Sequence, residues 1–392
     1  MKFLHLSDLH IGKIVNHRSM IEEQKHVFGQ VLTYIQQEKP NAIVVAGDIY
    51  DKSNPSVEAM GVWDDFLTEV ASYKNIAIMV VAGNHDSPER LGHVSRLLSH
   101  NKIFLCRNLY KESNQNIENN SEIQKVTLVD EYGDVNFWLL PFIQPSFFRE
   151  TITYDTMIKS IIDNANIDYT ARNVLVSHQY YTKTYLTLER SQSERDPIGG
   201  IDAVDAGIIE GFDYVALGHL HRPQNVGVEH IRYCGSPVKY SASECNHSKS
   251  ITLVELGAKL QQNQEKNLYC TVKLLPLIPI HDMREIKGPI EQLTNPEIYE
   301  LANREDYLYI TLTDEENIAF PMDRLRKVYP NIMDVSFENR INEIIPVAIT
   351  REKIENLPYD ELFIELFENR NPGRTLNPEQ LKILRQLLHG ED

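Results

Sequence analysis

The sequence predicts an α/β fold. Three observations lead there. Short apolar runs alternate with helix-length amphipathic stretches, residues able to do chemistry recur where those runs end, and the pattern changes in the last third of the chain. Buried strands alternating with helices mean βαβ units and a mainly parallel sheet. With 392 residues, the chain exceeds the ~100–200 residues of one domain. Apolar residues at 42% and charged residues at 24% allow a sizeable core and exclude wholesale disorder.

Lys2–Leu6 (KFLHL) reads as a strand, with His5 in it and Asp8 just beyond. Met20–Glu38 carries Ile21, Val27, Val31, Leu32 and Ile35 on one side, a helix ending before Pro40. Ala42–Ala46 (AIVVA) and Ile76–Ala82 (IAIMVVA) read as buried strands. Between them Pro55–Tyr73 is a helix with Val62, Phe66, Leu67 and Val70 apolar. Lys111–Gln124 turns polar and reads as a surface loop, because strands resume after it. Those are Lys125–Val129, Val135–Leu140, Asn173–Ser177, Asp213–Leu217, Ile231–Cys234, Ile251–Leu256 and Tyr269–Leu274.

Pro276–Pro279 (PLIP) marks a break. Beyond it, strands at Tyr307–Thr313 and Asp334–Phe337 and a helix at Asp323–Val328 suggest a small α+β module. From Glu352 the pattern turns helical, with Leu362, Phe363, Leu366 and Phe367 as an apolar stripe. Asn377-Pro378-Glu379-Gln380 is a helix start, with Asn as N-cap, Pro at N1 and Gln at N3. Leu381, Leu384, Leu387 and Leu388 form its stripe, and Gly390 ends it. The expected domains are residues 1–275, 276–345 and 346–392. The tail either packs on its own domain or docks a partner.

Charge narrows the function. Lys and Arg number 39 against 56 Asp and Glu, a net −17. Such a chain is repelled by polyanions, which excludes simple electrostatic grip on DNA or an anionic membrane. A nucleic-acid substrate would need metal ions or a basic partner. Cys106, Cys234, Cys245 and Cys270 form no C-x-x-C pair and are too sparse for a disulfide scaffold, so a reducing compartment is expected. The N-terminus shows no signal-peptide core, and no apolar run reaches the ~18 residues of a membrane span. A cytoplasmic protein is the expectation.

Five short motifs stand at the ends of expected strands: Asp8-Leu9-His10, Gly47-Asp48, Gly83-Asn84-His85-Asp86, Ser177-His178 and Gly218-His219-Leu220-His221. In open α/β sheets the carboxyl ends of strands are where ligands bind. Asp8, His10, Asp48, Asn84, His178, His219 and His221 make a mixed nitrogen and oxygen set without thiolate. That suits manganese, iron or zinc. Asp8 and His10 lie two apart, as do His219 and His221, so each pair would share one side of a strand. One ion takes about four to six donors, so this set suits two ions with a carboxylate between them. Such a pair orients a phosphate, lowers the pKa of bound water and neutralises developing charge. Taken singly, each motif has a plainer reading as a turn or a structural pair; in order and together they read as a metal centre.

These motifs resemble those of the calcineurin-like metallophosphoesterases. Within them, KFLHLSDLHIGK, AGDIYDKSNPS, VAGNHDSPERL, DYVALGHLHRPQ and IRYCGSPVKYSASE resemble the SbcD family, nuclease subunits of Mre type. The likeness is specific over residues 1–275 and weaker beyond. It implies a sandwich of two β-sheets flanked by helices, a small α+β capping domain on the DNA side, and C-terminal helices that bind SbcC. It implies one metal on Asp8, His10, Asp48 and His221, and another on Asp48, Asn84, His178 and His219, with Asp48 the bridge. Manganese is the implied metal, with magnesium the alternative. His85 is implied as an acid or transition-state stabiliser, with water as nucleophile. The implied activities are 3′-to-5′ exonuclease on double-stranded ends and endonuclease on single strands or hairpins, in repair, replication and recombination. ATP would be handled by SbcC, since the chain has no G-x-x-x-x-G-K-[ST] loop, and a homodimer through the nuclease domain is implied.

The chain departs from archaeal relatives in one place. Where they carry a catalytic His three residues after the Gly-Asp, it has Asp51, which reads as a turn carboxylate. Asp86 reads as a loop-orienting carboxylate. His17 and Arg18, in the loop after the first motif, are candidate DNA contacts, with a solvated loop as the alternative. Gly235-Ser236-Pro237 reads as a turn near the site, and Ser236 is not read as a nucleophile. Two rival functions stay open: a phosphatase or small-molecule phosphodiesterase, and an inactive scaffold.

Overall fold

The structure, a computed structural model, describes residues 1–73, 75–106, 109, 123–143, 153–183, 186–194, 203–259, 269–314, 316, 318–338, 358–370 and 375–389. Most of the expected loop at Lys111–Gln124, and the stretch from Pro346 to Leu357, lie outside these. Contacts divide the chain into two units, Met1–Glu285 with Glu305–Leu308, and Ile286–Arg304 with Tyr309–Asp392.

The first unit opens with β1 (Lys2–Leu6), the small hairpin β2 (Ile14–Val15) and β3 (Arg18–Ser19), and helix α1 (Ile21–Glu38). Lys39 stops α1 in a left-handed conformation, φ 49°, just ahead of Pro40. Then come β4 (Ala42–Ala46), α2 (Val57–Ala71), β5 (Ala77–Val81), the short helices α3 (Pro88–Leu91) and α4 (Ser95–Ser99), and β6 (Ile103–Cys106). Ser56 caps α2, accepting from the Ala59 amide at 3.1 Å. Next are β7 (Gln124–Asp130), β8 (Gly133–Leu140), α5 (Tyr154–Asn164), β9 (Arg172–Ser177), the parallel pair β10 (Tyr180–Thr182) and β11 (Ala203–Asp205), and β12 (Tyr214–Leu217). The unit continues with β13 (Gln224–Val226), β14 (Val228–Tyr233), β15 (Ser250–Leu256) and β16 (Cys270–Pro276).

Two six-stranded sheets result, ordered β16-β15-β1-β4-β5-β6 and β13-β14-β12-β9-β8-β7. In the first, β1, β4, β5 and β6 run parallel and β15 and β16 antiparallel. In the second, β8, β9, β12 and β14 run parallel, with β7 and β13 antiparallel at the edges. The mainly parallel sheet expected from the alternation is divided between two mixed sheets, face to face, the sandwich that the resemblance implies. Phe3 of the first sheet meets Phe137 and Tyr214 of the second edge-on, at 5.4 and 5.6 Å between centroids. Val44, Met79 and Val81 join Leu139, Val174, Val176 and Ala216 in this shared core. On the far face of the second sheet, Ile158, Ile161 and Ile162 of α5 pack with Leu140, Leu175, Leu217 and Ile231. On the far face of the first, Leu4, Leu6, Ile43 and Val45 are also buried. Helices α1 and α2, which connect those strands, carry matching buried stripes.

A polar clasp joins the sheets at the end where β1 and β9 begin. Arg172 donates to both Asp130 oxygens, at 3.0 and 2.5 Å, and to the carbonyls of Gly133, Leu256 and Gly257. The Met1 ammonium reaches Asp130 and the Leu256 carbonyl.

Strand β17 (Met283–Gly288) leads into the second unit, which holds α6 (Ile290–Leu293), α7 (Pro296–Tyr299), most of β18 (Tyr307–Leu312), α8 (Pro321–Arg326) and β19 (Ile332–Phe337). The strands form a sheet in the order β17-β18-β19. Helices α9 (Tyr359–Arg370) and α10 (Pro378–His389) pack on each other. The expected capping box forms: the Gln380 amide donates to Asn377 Oδ1 at 2.9 Å, and the Asn377 amide to Gln380 Oε1 at 3.0 Å. No helix among the described residues is long and apolar enough to cross a membrane.

Candidate metal centre

Because β1, β4 and β5 are parallel neighbours, the first three motifs emerge at one edge. Their backbones knit together there. The amides of Asp8, His10 and Ile11 donate to the carbonyls of Gly47, Asp48 and Ile49, at 3.0, 2.9 and 2.9 Å. Asp8, His10 and Asp48 take φ of 52°, 43° and 52°. Left-handed backbone at non-glycine residues costs of order 1–3 kcal/mol each and clusters at functional sites. Gln24 of α1 supports the first loop, donating to the carbonyls of Leu9 and His10 and accepting from the Gly12 amide. Asp86 accepts from the amides of Ile49, Tyr50 and Gly83, at 3.1, 3.0 and 2.9 Å. It ties the third loop to the second, the orienting role expected of it.

The second sheet delivers its motifs to the same place, since β9 and β12 are also parallel neighbours. His178 Nδ1 donates to the Ala46 carbonyl at 2.7 Å, crossing from one sheet to the other. That bond sets Nδ1 as the donor and points Nε2 toward Asn84 and Asp48. Glycine makes the approach possible. A Cβ on Gly218 would stand 1.9 Å from the Ala46 oxygen, and one on Gly83 2.2 Å from Asp48 Oδ1.

The seven expected ligands converge. His10 Nε2 and His221 Nε2 point at each other across 3.0 Å. Asp48 Oδ2 lies 3.6 Å from His10 Nε2 and 3.4 Å from His178 Nε2, between the two groups. Asn84 Oδ1 is 3.0 Å from His178 Nε2 and 3.2 Å from His219 Nδ1. Asp8 is fixed by Ser7 at 2.6 Å and by the His219 amide at 2.9 Å. Asp8, His10 and His221 form one compact donor group, and Asp8, Asp48 and His178 another.

The electrostatics suit a cation. Asp8, His10, His178, Asp48 and His221 are all at most 2% exposed. Burial pushes the Asp8 carboxyl up, against the pull of His178 and His221. Burial also holds His10 and His219 down, His219 to about 3, so both rings are neutral donors. His178 goes the other way: burial opposes its charge, but Asp48 and Asp8 outweigh it and raise the ring to about 9. Buried carboxylates that raise a neighbouring ring in this way favour positive charge between them. Divalent ions in a nitrogen and oxygen donor set fit this need.

His85 sits against the centre, its ring 4.7 Å from that of His10. Its amide donates to Asp48 Oδ1 at 2.8 Å, and its Nδ1 donates to the Asp51 carbonyl at 2.7 Å. Asp51 is more than a turn residue. Its carboxylate pairs with Lys13 at 2.8 Å and lies 3.9 Å from His10 Nδ1. His17 and Arg18 lie on the β2–β3 hairpin, His17 exposed and Arg18 half-buried. Ser236 is buried and donates to the Val238 carbonyl at 2.9 Å, a structural role.

Motif spacing does not reveal the groups that hold His221. Ser193 Oγ lies 2.7 Å from its Nδ1, and Glu194 accepts from its amide at 2.7 Å. Glu244 lies 3.4 Å from Nδ1, and Lys249 donates to its carbonyl at 2.9 Å. Glu244 stands at the end of the GSPVKYSASE run, the one signal that could have found it.

This fold and centre define a phosphoesterase, and residues 1–223 match the calcineurin-like phosphoesterase family. Residues 279–371 match a second family, the type 5 capsule protein repressor C-terminal domain, SbcD_C. The chain is 32% identical over 348 residues to the SbcD subunit of the SbcCD nuclease of Staphylococcus epidermidis, covering 86% of this chain and 85% of that one. The chain therefore belongs to the SbcD family of metal-dependent nuclease subunits. Among solved structures it is similar to a dimetal phosphatase from Danio rerio, at 13% identity and a TM-score of 0.39, covering 71% of this chain and 97% of that one. It is also similar to the phosphopantetheinyl hydrolase of Mycobacterium tuberculosis, at 12% identity and a TM-score of 0.35, covering 59% and 87%.

Proposed function

We propose that this chain cuts DNA phosphodiesters at a two-metal centre, as a 3′-to-5′ exonuclease on double-stranded ends and an endonuclease on single strands and hairpins. The observation that carries the reading is the meeting of two buried carboxylates, an amide and four imidazoles at the seam of the two sheets. Asp8, His10, Asp48 and His221 would hold one ion, and Asp48, Asn84, His178 and His219 the other, with manganese the proposed metal. Bound there, the ions orient the phosphate, make water a stronger nucleophile and neutralise developing charge.

His85 acts on the substrate. Its Nδ1 proton is committed to the Asp51 carbonyl, which turns Nε2 toward the scissile phosphate or the departing oxygen. His17 and Arg18 would meet the DNA beside the centre. Residues 276–345 would cap the DNA side, and helices in 346–392 would bind SbcC, whose basic surface offsets the net −17. Phe363 and Leu387, 45% and 79% exposed on α9 and α10, support that docking. A cytoplasmic two-plus-two complex, dimeric through residues 1–275, completes the proposal.

The test is cleavage by the purified chain, with and without an SbcC partner, in manganese, magnesium and zinc. Hairpin DNA is offered beside a chromogenic phosphodiester. Hairpin cutting that peaks in manganese and rises with SbcC and ATP is expected. Cleavage of the small ester alone would make it a phosphodiesterase, and cleavage of neither a scaffold.

A further inference from the structure

His221 is held more completely than any ring needs for packing. Its amide donates to Glu194 at 2.7 Å. Its carbonyl accepts from the Ser236 amide at 3.2 Å and from Lys249 Nζ at 2.9 Å. Its Nδ1 faces Ser193 Oγ at 2.7 Å and Glu244 Oε1 at 3.4 Å. Only Nε2 is left, and it points at His10 Nε2 across 3.0 Å. His10 makes a contrast: among the described residues its buried Nδ1 has no hydrogen-bond partner, the nearest carboxylate, Asp51, lying 3.9 Å away.

The grip converges on one ion pair. Glu244 Oε2 and Lys249 Nζ are 2.6 Å apart, with side chains 0% and 3% exposed. Lys249 also donates to Ser236 Oγ at 2.8 Å, and Ser241 donates to Glu244 Oε1 at 3.1 Å. Gly235 closes the turn under it at φ +81°, where a Cβ would stand 2.7 Å from the His221 carbonyl. A buried ion pair is a poor stabiliser, because desolvation offsets most of the attraction, and apolar replacements often do as well. Its use must lie elsewhere. One end of the pair lies on the ring nitrogen of His221 and the other on its carbonyl. Metal-binding histidines commonly carry a carboxylate on the nitrogen away from the metal, which sets the tautomer and raises ligand basicity.

We infer that Glu244 and Lys249 are a positioning pair for His221, orienting its Nε2 and setting the affinity of one of the two metal positions. This rests on the proposed ligand sets. It also explains the GSPVKYSASE run, which wraps His221 from behind.

The test is calorimetric titration of manganese into the metal-free full-length chain, with thermal unfolding run alongside. Glu244→Gln keeps the shape and removes the charge. Affinity at one position should fall about 10–100-fold, with the other unchanged. Lys249→Met should do the same and Lys249→Arg should restore most of it. His221→Ala should remove that same position altogether. A merely structural pair would weaken both positions together, in step with the melting temperature, and that result overturns the inference. So does wild-type affinity at both positions in Glu244→Gln while His221→Ala loses one; the metal reading then survives. Two intact positions in His221→Ala overturn the ligand assignment and the inference with it. If Glu244→Gln does not fold, the Lys249→Met and Lys249→Arg variants carry the test, since they remove and restore the other end of the pair. Loss at the His221 position supports the inference, and unchanged affinity overturns it.

Discussion

The two ends of the sandwich handle buried acid in opposite ways. Where β1 and β9 begin, Asp130 is met by the guanidinium of Arg172 and the ammonium of Met1. Burial works against its charge there, but those cations outweigh it and hold the carboxyl well below the usual carboxylate range. Where the same strands end, Asp8 and Asp48 are at least as buried. Among the described residues they meet imidazoles, a hydroxyl and backbone amides, with no lysine or arginine. The outer acids Asp51 and Glu244 do have lysines, Lys13 and Lys249. One end is charge-complete as protein, and the other is short of positive charge at its centre. The difference marks the end of the sandwich where a cation belongs.

The comparison breaks most severely at Asp48. Asp48→Asn removes the charge proposed to be shared by both ions, so manganese binding measured on the metal-free protein should fall at both positions. Turnover should drop by more than the ~10²–10⁴-fold lost with a proton-transfer group. Far-ultraviolet circular dichroism should stay native, because the change sits on a loop at the sheet edge. Normal cleavage with two bound ions would defeat the two-metal assignment.

His85→Gln sharpens the same end. It should keep the metal stoichiometry and lose about 10²–10⁴-fold in rate. Loss of metal would make His85 a ligand.

Asp130→Asn probes the other end. Breaking one partner of a buried pair should destabilise by about 3–5 kcal/mol, read by denaturant unfolding, with metal affinity untouched. The pH sign follows from the lowered carboxyl. Its contribution is complete above the ordinary carboxylate range and is lost as pH falls through that range toward the folded value. The gap between wild type and variant should therefore close in acid. A gap that widened in acid would remove Asp130 from the clasp.

Much of this was legible. The five motifs could be read because each is short, local and set where a strand gives way to a turn. Asp8 and His10 meet His221 only because two sheets face each other, and apolar periodicity does not report that. Nor does it report strand direction, so β7, β15 and β16 could be expected as strands but not as antiparallel ones, and β13, with three residues, is too short to stand out. Strand β6, with four residues, was too short to stand out. Helix α5 has a legible pattern, with Tyr154, Met157, Ile158, Ile161 and Ile162 as a helical stripe after the N-cap Thr153. Glu244 and Ser193 could not be singled out by type, because they lie 23 and 28 residues from His221 along the chain. Contacts keep the chain with the first unit through Glu285.

The first turn of α1 does two jobs with adjacent residues. Gln24 holds the loop of Asp8 and His10. Glu23, 1% exposed, takes the amide of Ile280, both the amide and ring nitrogen of His281, and the Tyr307 hydroxyl. Those residues flank β17 and open β18, where the chain leaves the first unit and returns to it. Adjacent side chains at the helix start therefore anchor two distant stretches of chain, Gln24 the loop after β1 and Glu23 the residues just ahead of β17 and at the start of β18.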